Sequence, residues 1–124
     1  MVKKDLVFII DDDVILNEVH ALLLSKLYPE IIVETFTTAS EAIQAIDKQK
    51  LPDTVFLDLH IPGERNTYFL DEHKARSLTS DVYLMSALTY MNTPELLTNY
   101  PAIMDFISKP LLDHKIKHVF NHYA

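Results

Sequence analysis

Five short apolar runs alternate with five stretches of helical character, which predicts an α/β fold: a five-stranded parallel sheet with helices on both faces. Two further observations agree. The run Leu6 to Ile10 is continuously apolar, as a strand covered on both faces must be. The chain of 124 residues, 48% of them hydrophobic, suits one domain around one core.

Each element has its own signal. Leu6 to Ile10 forms the first strand and ends in Asp11, Asp12 and Asp13. A helix follows over Val14 to Leu27. Leu16, Val19, Leu23 and Leu27, with Leu22 beside them, fall at helical spacing and predict its inner face, and Pro29 ends it. Ile31 to Phe36 is a second strand. Thr38-Ala39-Ser40-Glu41 is a capping box, opening a helix with inner face Ala39, Ala42, Ile43 and Ile46 that Leu51-Pro52 closes. Thr54 to Leu57 is the third strand, carrying Asp58 at its tip, and Pro62-Gly63 bars its extension. Glu64 to Thr79 reads as helix. Asp81 to Ser86 is the fourth strand, and Thr93-Pro94-Glu95 starts a short helix ending near Tyr100-Pro101. Ala102 to Ile107 is the fifth strand. Lys109-Pro110 leads into a last helix with apolar face Leu112, Ile116, Val119, Phe120 and Tyr123.

Composition narrows the function. Eighteen acids stand against 11 Lys and Arg, with no basic cluster, so nucleic-acid binding is not expected. The absence of cysteine rules out disulfides and thiolate metal sites. The first apolar run is too short for a signal peptide or a membrane span, so the expectation is a cytoplasmic protein with no membrane partner. No linker or repeat is visible, and residues 1–124 are read as one domain with no effector domain attached.

Chemistry concentrates at strand ends. In an open parallel sheet the site lies beyond the C-terminal edges, where the winding reverses. For the order 2-1-3-4-5 that reversal falls between strands one and three, which end in Asp11-Asp12 and Asp58. Two carboxylates about 4 Å apart repel by roughly 4 kcal/mol at an effective dielectric near 20, so the cluster calls for a cation. Oxygen-only ligands point to Mg2+, with Mn2+ as the other choice. Lys109 and Ser86, at the ends of strands five and four, offer an ammonium and a hydroxyl to the oxygens of a phosphoryl group, and Asp58 is the candidate nucleophile. Asp13 is read as the cap of the first helix. His114, His118 and His122 recur every four residues opposite the apolar face of the last helix and are read as a solvated face. Tyr90, Met91 and Tyr100, if exposed, suit a partner surface.

With Asp11-Asp12, Asp58 followed by Pro62, Ser86-Ala87, and Phe106 before Lys109-Pro110 in order, the whole chain resembles the receiver domains of bacterial two-component response regulators. The resemblance implies a flavodoxin-like sheet of order 2-1-3-4-5. It implies that Asp58 accepts a phosphoryl group from a sensor histidine kinase or phosphotransfer protein, assisted by Mg2+. Asp12 and Asp58 hold the metal directly, Asp11 through water, and His60 through its backbone carbonyl. Ser86, Ala87 and Lys109 bind the phosphoryl group, Ser86 and Phe106 switch, and the Lys109-Pro110 peptide is cis. The output surface is the fourth helix, fifth strand and fifth helix, facing an unidentified protein. Ile61 stands where the family usually has Met, Asn66 where it has glycine, and Tyr100-Pro101-Ala102 where glycine precedes the fifth strand. Asn66 is expected to supply the positive φ that a glycine takes.

The expected function is thus a phosphorylation-dependent switch or phosphorelay intermediate that assists its own phosphoryl transfer but is not a multiple-turnover enzyme. The altered loop from Gly63 to Asn66 keeps open a receiver-like binding module that signals without phosphorylation. A magnesium-dependent phosphatase fits less well, because His60 stands where such enzymes often carry a general acid.

Overall fold

Apolar runs bounded by acids, prolines and threonines become strands and helices close to their sequence limits. The computed structural model describes residues 5–86 and 93–121, with Ser86 and Thr93 described by backbone alone. The strands are β1 (Leu6–Ile10), β2 (Ile32–Phe36), β3 (Thr54–Asp58), β4 (Asp81–Ser86) and β5 (Ile103–Ser108). Between and after them lie α1 (Val14–Leu27), α2 (Ala39–Asp47), α3 (Tyr68–Ala75), α4 (Thr93–Asn99) and α5 (Asp113–Val119). The sheet is parallel throughout, in the order β2-β1-β3-β4-β5.

Strand periodicity divides the core in two. Phe8, Ile10, Val55, Leu57, Val82 and Leu84 pack with the inner faces of α2 and α3. Val7, Ile9, Phe56 and Met85 face the other way, onto Leu24 of α1 and Ile116, Val119 and Phe120 from α5 and its C-terminal end. Register then places the strand ends. Ile10 lies beside Leu57, so the next residues, Asp11 and Asp58, leave the sheet as neighbours. Ser86 pairs with Ser108, so Lys109 emerges along the same edge.

The α2 reading holds in detail. Ala39, Ala42, Ile43 and Ile46 are buried, and the Thr38 hydroxyl accepts from the Glu41 amide at 3.2 Å. A second cap comes from outside the helix. The Glu64 carboxylate accepts from the Ala39 and Ser40 amides at 2.8 and 3.0 Å, placing an anion on the positive end of α2. Glu64→Ala is expected to cost about 1 kcal/mol, read as a lower urea midpoint at unchanged slope.

The inner face expected for α1 holds in part: Leu23 and Leu27 pack against the core, but the face is centred elsewhere. Its buried residues are Asn17, His20 and Leu24, whereas Val19 and Leu22 are 52% and 72% exposed. Leu22, Leu23 and Leu24 in succession fit either rotation. The choice is made by Asn17 and His20, which find backbone partners inside. Other limits also move. α3 begins at Tyr68 rather than Glu64, because residues 64–67 form the turn that caps α2. β5 is displaced one residue, and Leu112 is an exposed N-cap of α5 rather than part of its buried face. Asn66 does not take positive φ; Gly63, Gln49 and Ser77 do, at 83°, 73° and 53°. Tyr90, Met91, His122 and Tyr123 lie outside the described residues, and Tyr100 is half-buried.

Candidate functional site

Asp11, Asp12 and Asp58 present carboxylate oxygens that all lie within 4.8 Å of one another. Asp11 is fully buried and Asp58 is buried, while Asp12 is exposed. Strand geometry fixes two of them. Asp58 Oδ1 accepts from the His60 amide at 2.8 Å, and Asp11 Oδ1 accepts from the Asp13 amide at 3.0 Å. Asp13 turns away to cap α1, its Oδ1 accepting from the Leu16 amide at 3.0 Å.

Lys109 closes the cluster from the far side. Its Nζ donates to Asp11 Oδ2 at 2.9 Å and to Asp58 Oδ2 at 3.1 Å, from positions 98 and 51 residues away in sequence. Burial opposes the ammonium, but the two carboxylates outweigh it and hold its pKa above the ordinary lysine value. Burial pushes the Asp11 carboxyl up, more than the Asp13 amide and Lys109 bring it down. Three carboxyl groups against one ammonium leave a formal deficit that a divalent cation matches. The donor set is all oxygen, which suits Mg2+ rather than zinc.

The remaining sequence-predicted residues are placed as follows. His60 has an exposed side chain, and its backbone amide is what reaches Asp58. Phe106 is half-buried on β5, packed against the α2–α3 side of the core. Ser86 ends β4, next to β5, and Ala87 lies outside the described residues. The Lys109-Pro110 peptide is cis. His114 and His118 are exposed and, with Phe106 and Lys115, line a cleft of about 370 Å³ between β5 and α5.

Sequence reading missed the supports of the site. Asn17 Nδ2 donates to the Asp11 carbonyl at 2.8 Å and to the Phe36 carbonyl at 3.3 Å. His20 Nε2 accepts from the Leu111 amide at 2.9 Å. Positions 17, 20 and 24 do fall at helical spacing, so the stripe was visible once polar residues were admitted to it.

Comparison with known proteins agrees with this geometry. The family model described as "Response regulator receiver domain" matches residues 7–121. A probable C4-dicarboxylate response regulator DctR from Halalkalibacterium halodurans is 26% identical over 125 residues, covering 99% of this chain and 54% of that protein. Its counterpart from Priestia megaterium is 25% identical, covering 94% of this chain and 50% of that protein. The chain therefore spans about half the length of these relatives. Among solved structures, the signal receiver domain of a putative Luxo repressor protein from Vibrio parahaemolyticus superposes with a TM-score of 0.82 at 22% identity, covering 97% of this chain and 89% of that one. Chemotaxis protein CheY4 of Vibrio cholerae gives 0.81 at 14% identity, covering 98% and 100%. At these identities the two structures speak for the fold.

Proposed function

Because the chain belongs to the response regulator receiver domain family, we propose that it is a phosphorylation-dependent signalling switch or relay intermediate whose phosphoacceptor is Asp58. The observation that carries this reading is the Lys109 ammonium spanning Asp11 and Asp58 at 2.9 and 3.1 Å beside the carboxylate of Asp12.

In the transfer step an Asp58 carboxylate oxygen forms a bond to phosphorus. The bond from phosphorus to the donor's histidine nitrogen breaks, and its electron pair leaves with the imidazole. The product is an acyl phosphate. Lys109 Nζ, between Asp11 and Asp58, would meet one phosphoryl oxygen, and Ser86 and Ala87 are the residues that the family resemblance assigns to a second. Asp11, Asp12 and Asp58, with the His60 backbone carbonyl, would hold Mg2+, which would supply charge neutralisation for the phosphoryl group. Attack by water at phosphorus breaks its bond to the Asp58 oxygen, releases inorganic phosphate and returns the protein to its starting state, so the protein assists its own dephosphorylation.

Phosphoryl donors are a sensor histidine kinase or a phosphotransfer protein in the cytoplasm. No helix among the described residues is long and apolar enough to cross a membrane. A donor protein must approach the mouth of the site, where α1 begins, and α1 carries exposed Val14, Ile15, Val19 and Leu22 on its outer side. The output side would be α4, β5 and α5, and Phe106, the expected switch residue, lines the β5–α5 cleft there.

Incubation with acetyl phosphate and Mg2+, followed by intact-mass measurement, tests the reading. One added phosphoryl group is expected on the wild type and none on Asp58→Asn. No addition, or equal addition to both proteins, rejects Asp58 as acceptor.

A further inference from the structure

Two buried polar side chains stand one turn apart on the inner face of α1, at positions where an apolar residue packs at less cost. Asn17 grips the end of β1 through the Asp11 carbonyl. His20, fully buried, reaches 91 residues along the chain to the Leu111 amide. Leu111 is the first backbone donor after Lys109, because Pro110 has no N–H. One helix face thus holds the strand that bears Asp11 and the loop that bears Lys109, the two partners of the 2.9 Å ion pair.

We propose that His20 is a positioning residue for the Asp58 site, latching the β5–α5 loop through Leu111 so that the Lys109 ammonium spans Asp11 and Asp58. The observations distinguish this from plain packing. Its neighbours in the α1–α5 layer of the core, Leu24, Leu111 and Ile116, are apolar and fully or almost fully buried. Among the described residues the Nδ1 of His20 has no hydrogen-bond partner, so the imidazole makes one bond and leaves one polar atom unmatched. A leucine there avoids that cost but leaves the Leu111 amide without its acceptor, so what the histidine adds is its hold on the loop. Burial, together with nearby Lys109, lowers the imidazole pKa to about 4, so Nε2 keeps its lone pair at neutral pH. Among the described residues, the loop is also tied by Lys115, whose exposed ammonium donates to the Ser108 and Pro110 carbonyls at 2.9 and 3.2 Å. Held so, they fix the loop's outer side and leave its depth to His20.

The kinetic part of this proposal rests on Asp58 being the phosphoacceptor; the positional part does not. The test compares wild type, His20→Leu, His20→Gln and His20→Asn. Glutamine carries an acceptor at the same reach as Nε2, and asparagine is one bond too short. Two readouts are taken on folded protein: the rate of phosphorylation by acetyl phosphate with Mg2+, and the proton–nitrogen NMR signal of the Lys109 ammonium, whose exchange its two acceptors slow. His20→Leu and His20→Asn are expected to react about tenfold to a hundredfold more slowly and to lose the Lys109 signal. His20→Gln is expected to keep both within about threefold of wild type. Wild-type rates and an intact Lys109 signal in His20→Leu overturn the proposal, as does a glutamine variant no better than leucine. If His20→Leu does not fold, the glutamine–asparagine comparison decides in the same way. If wild type itself accepts no phosphoryl group, the Asp58 reading fails, and the Lys109 signal alone confirms or overturns the latch.

Discussion

Lys109→Met is expected to lower stability by about 3 kcal/mol in the absence of divalent metal, and to slow phosphorylation by acetyl phosphate about a hundredfold. The side chain is 15% exposed and its two acceptors, Asp11 and Asp58, are buried. Removing the ammonium leaves two carboxylates facing each other in a poorly solvated site, and a methionine of similar length cannot satisfy either. The variant answers by taking up a proton or a cation. Two consequences follow that a simple packing defect does not share. Added Mg2+ should stabilise Lys109→Met more than it stabilises wild type, because the metal then supplies the only positive charge in the cluster. Urea titrations at neutral pH, with and without millimolar Mg2+, measure both. An equal loss in both conditions refutes the account in which Lys109 neutralises the carboxylates. The kinetic loss should persist at saturating Mg2+, since the ammonium serves an oxygen that the metal does not reach.

The fold was largely legible because its signals are local. Strand limits came from where acids and prolines interrupt apolar runs, and α2 came from a four-residue cap. The cluster of Asp11, Asp12, Asp58 and Lys109 was legible because parallel winding brings the tips of β1, β3 and β5 to one edge, and three acids and a lysine at those tips have few other uses. The missed features share a cause. Asn17, His20 and Glu64 are polar residues whose partners are backbone groups elsewhere in the chain: the carbonyls of Asp11 and Phe36, the amide of Leu111, and the amides of Ala39 and Ser40. Hydrophobic periodicity assigns such residues to the surface. That rule turned α1 outward at Asn17 and His20, and it extended α3 backward over Glu64. The exposed positions Val19 and Leu22 are the converse error, apolar side chains that periodicity assigned to the inner face.

Acidification from pH 6.5 to pH 4 is expected to destabilise the fold, with His20 alone contributing roughly 3 kcal/mol of the loss. Its pKa is lowered from 6.5 to about 4, first by burial and then by Lys109, with Asp13 acting weakly in the other direction. The sign follows from proton uptake. Below 6.5 the unfolded chain binds a proton at this position while the folded protein does not, so stability is whole above 6.5 and drains away as the pH falls toward the folded value. The interval between 6.5 and about 4 corresponds to the roughly 3 kcal/mol stated. His73 is buried on α3 with its pKa lowered by desolvation, and it adds to the same trend. Asp11 works against it, because a carboxyl held above 3.8 is protonated more readily in the folded protein than in the unfolded chain. His20→Gln separates these contributions. Glutamine retains an acceptor for the Leu111 amide and does not titrate, so the difference between the wild-type and variant stability curves reports His20 alone. That difference should be flat above pH 7, open below 6.5 and level off near pH 4. Parallel curves throughout show that His20 is protonated as easily inside the protein as outside it, which its complete burial between α1 and the β5–α5 loop forbids.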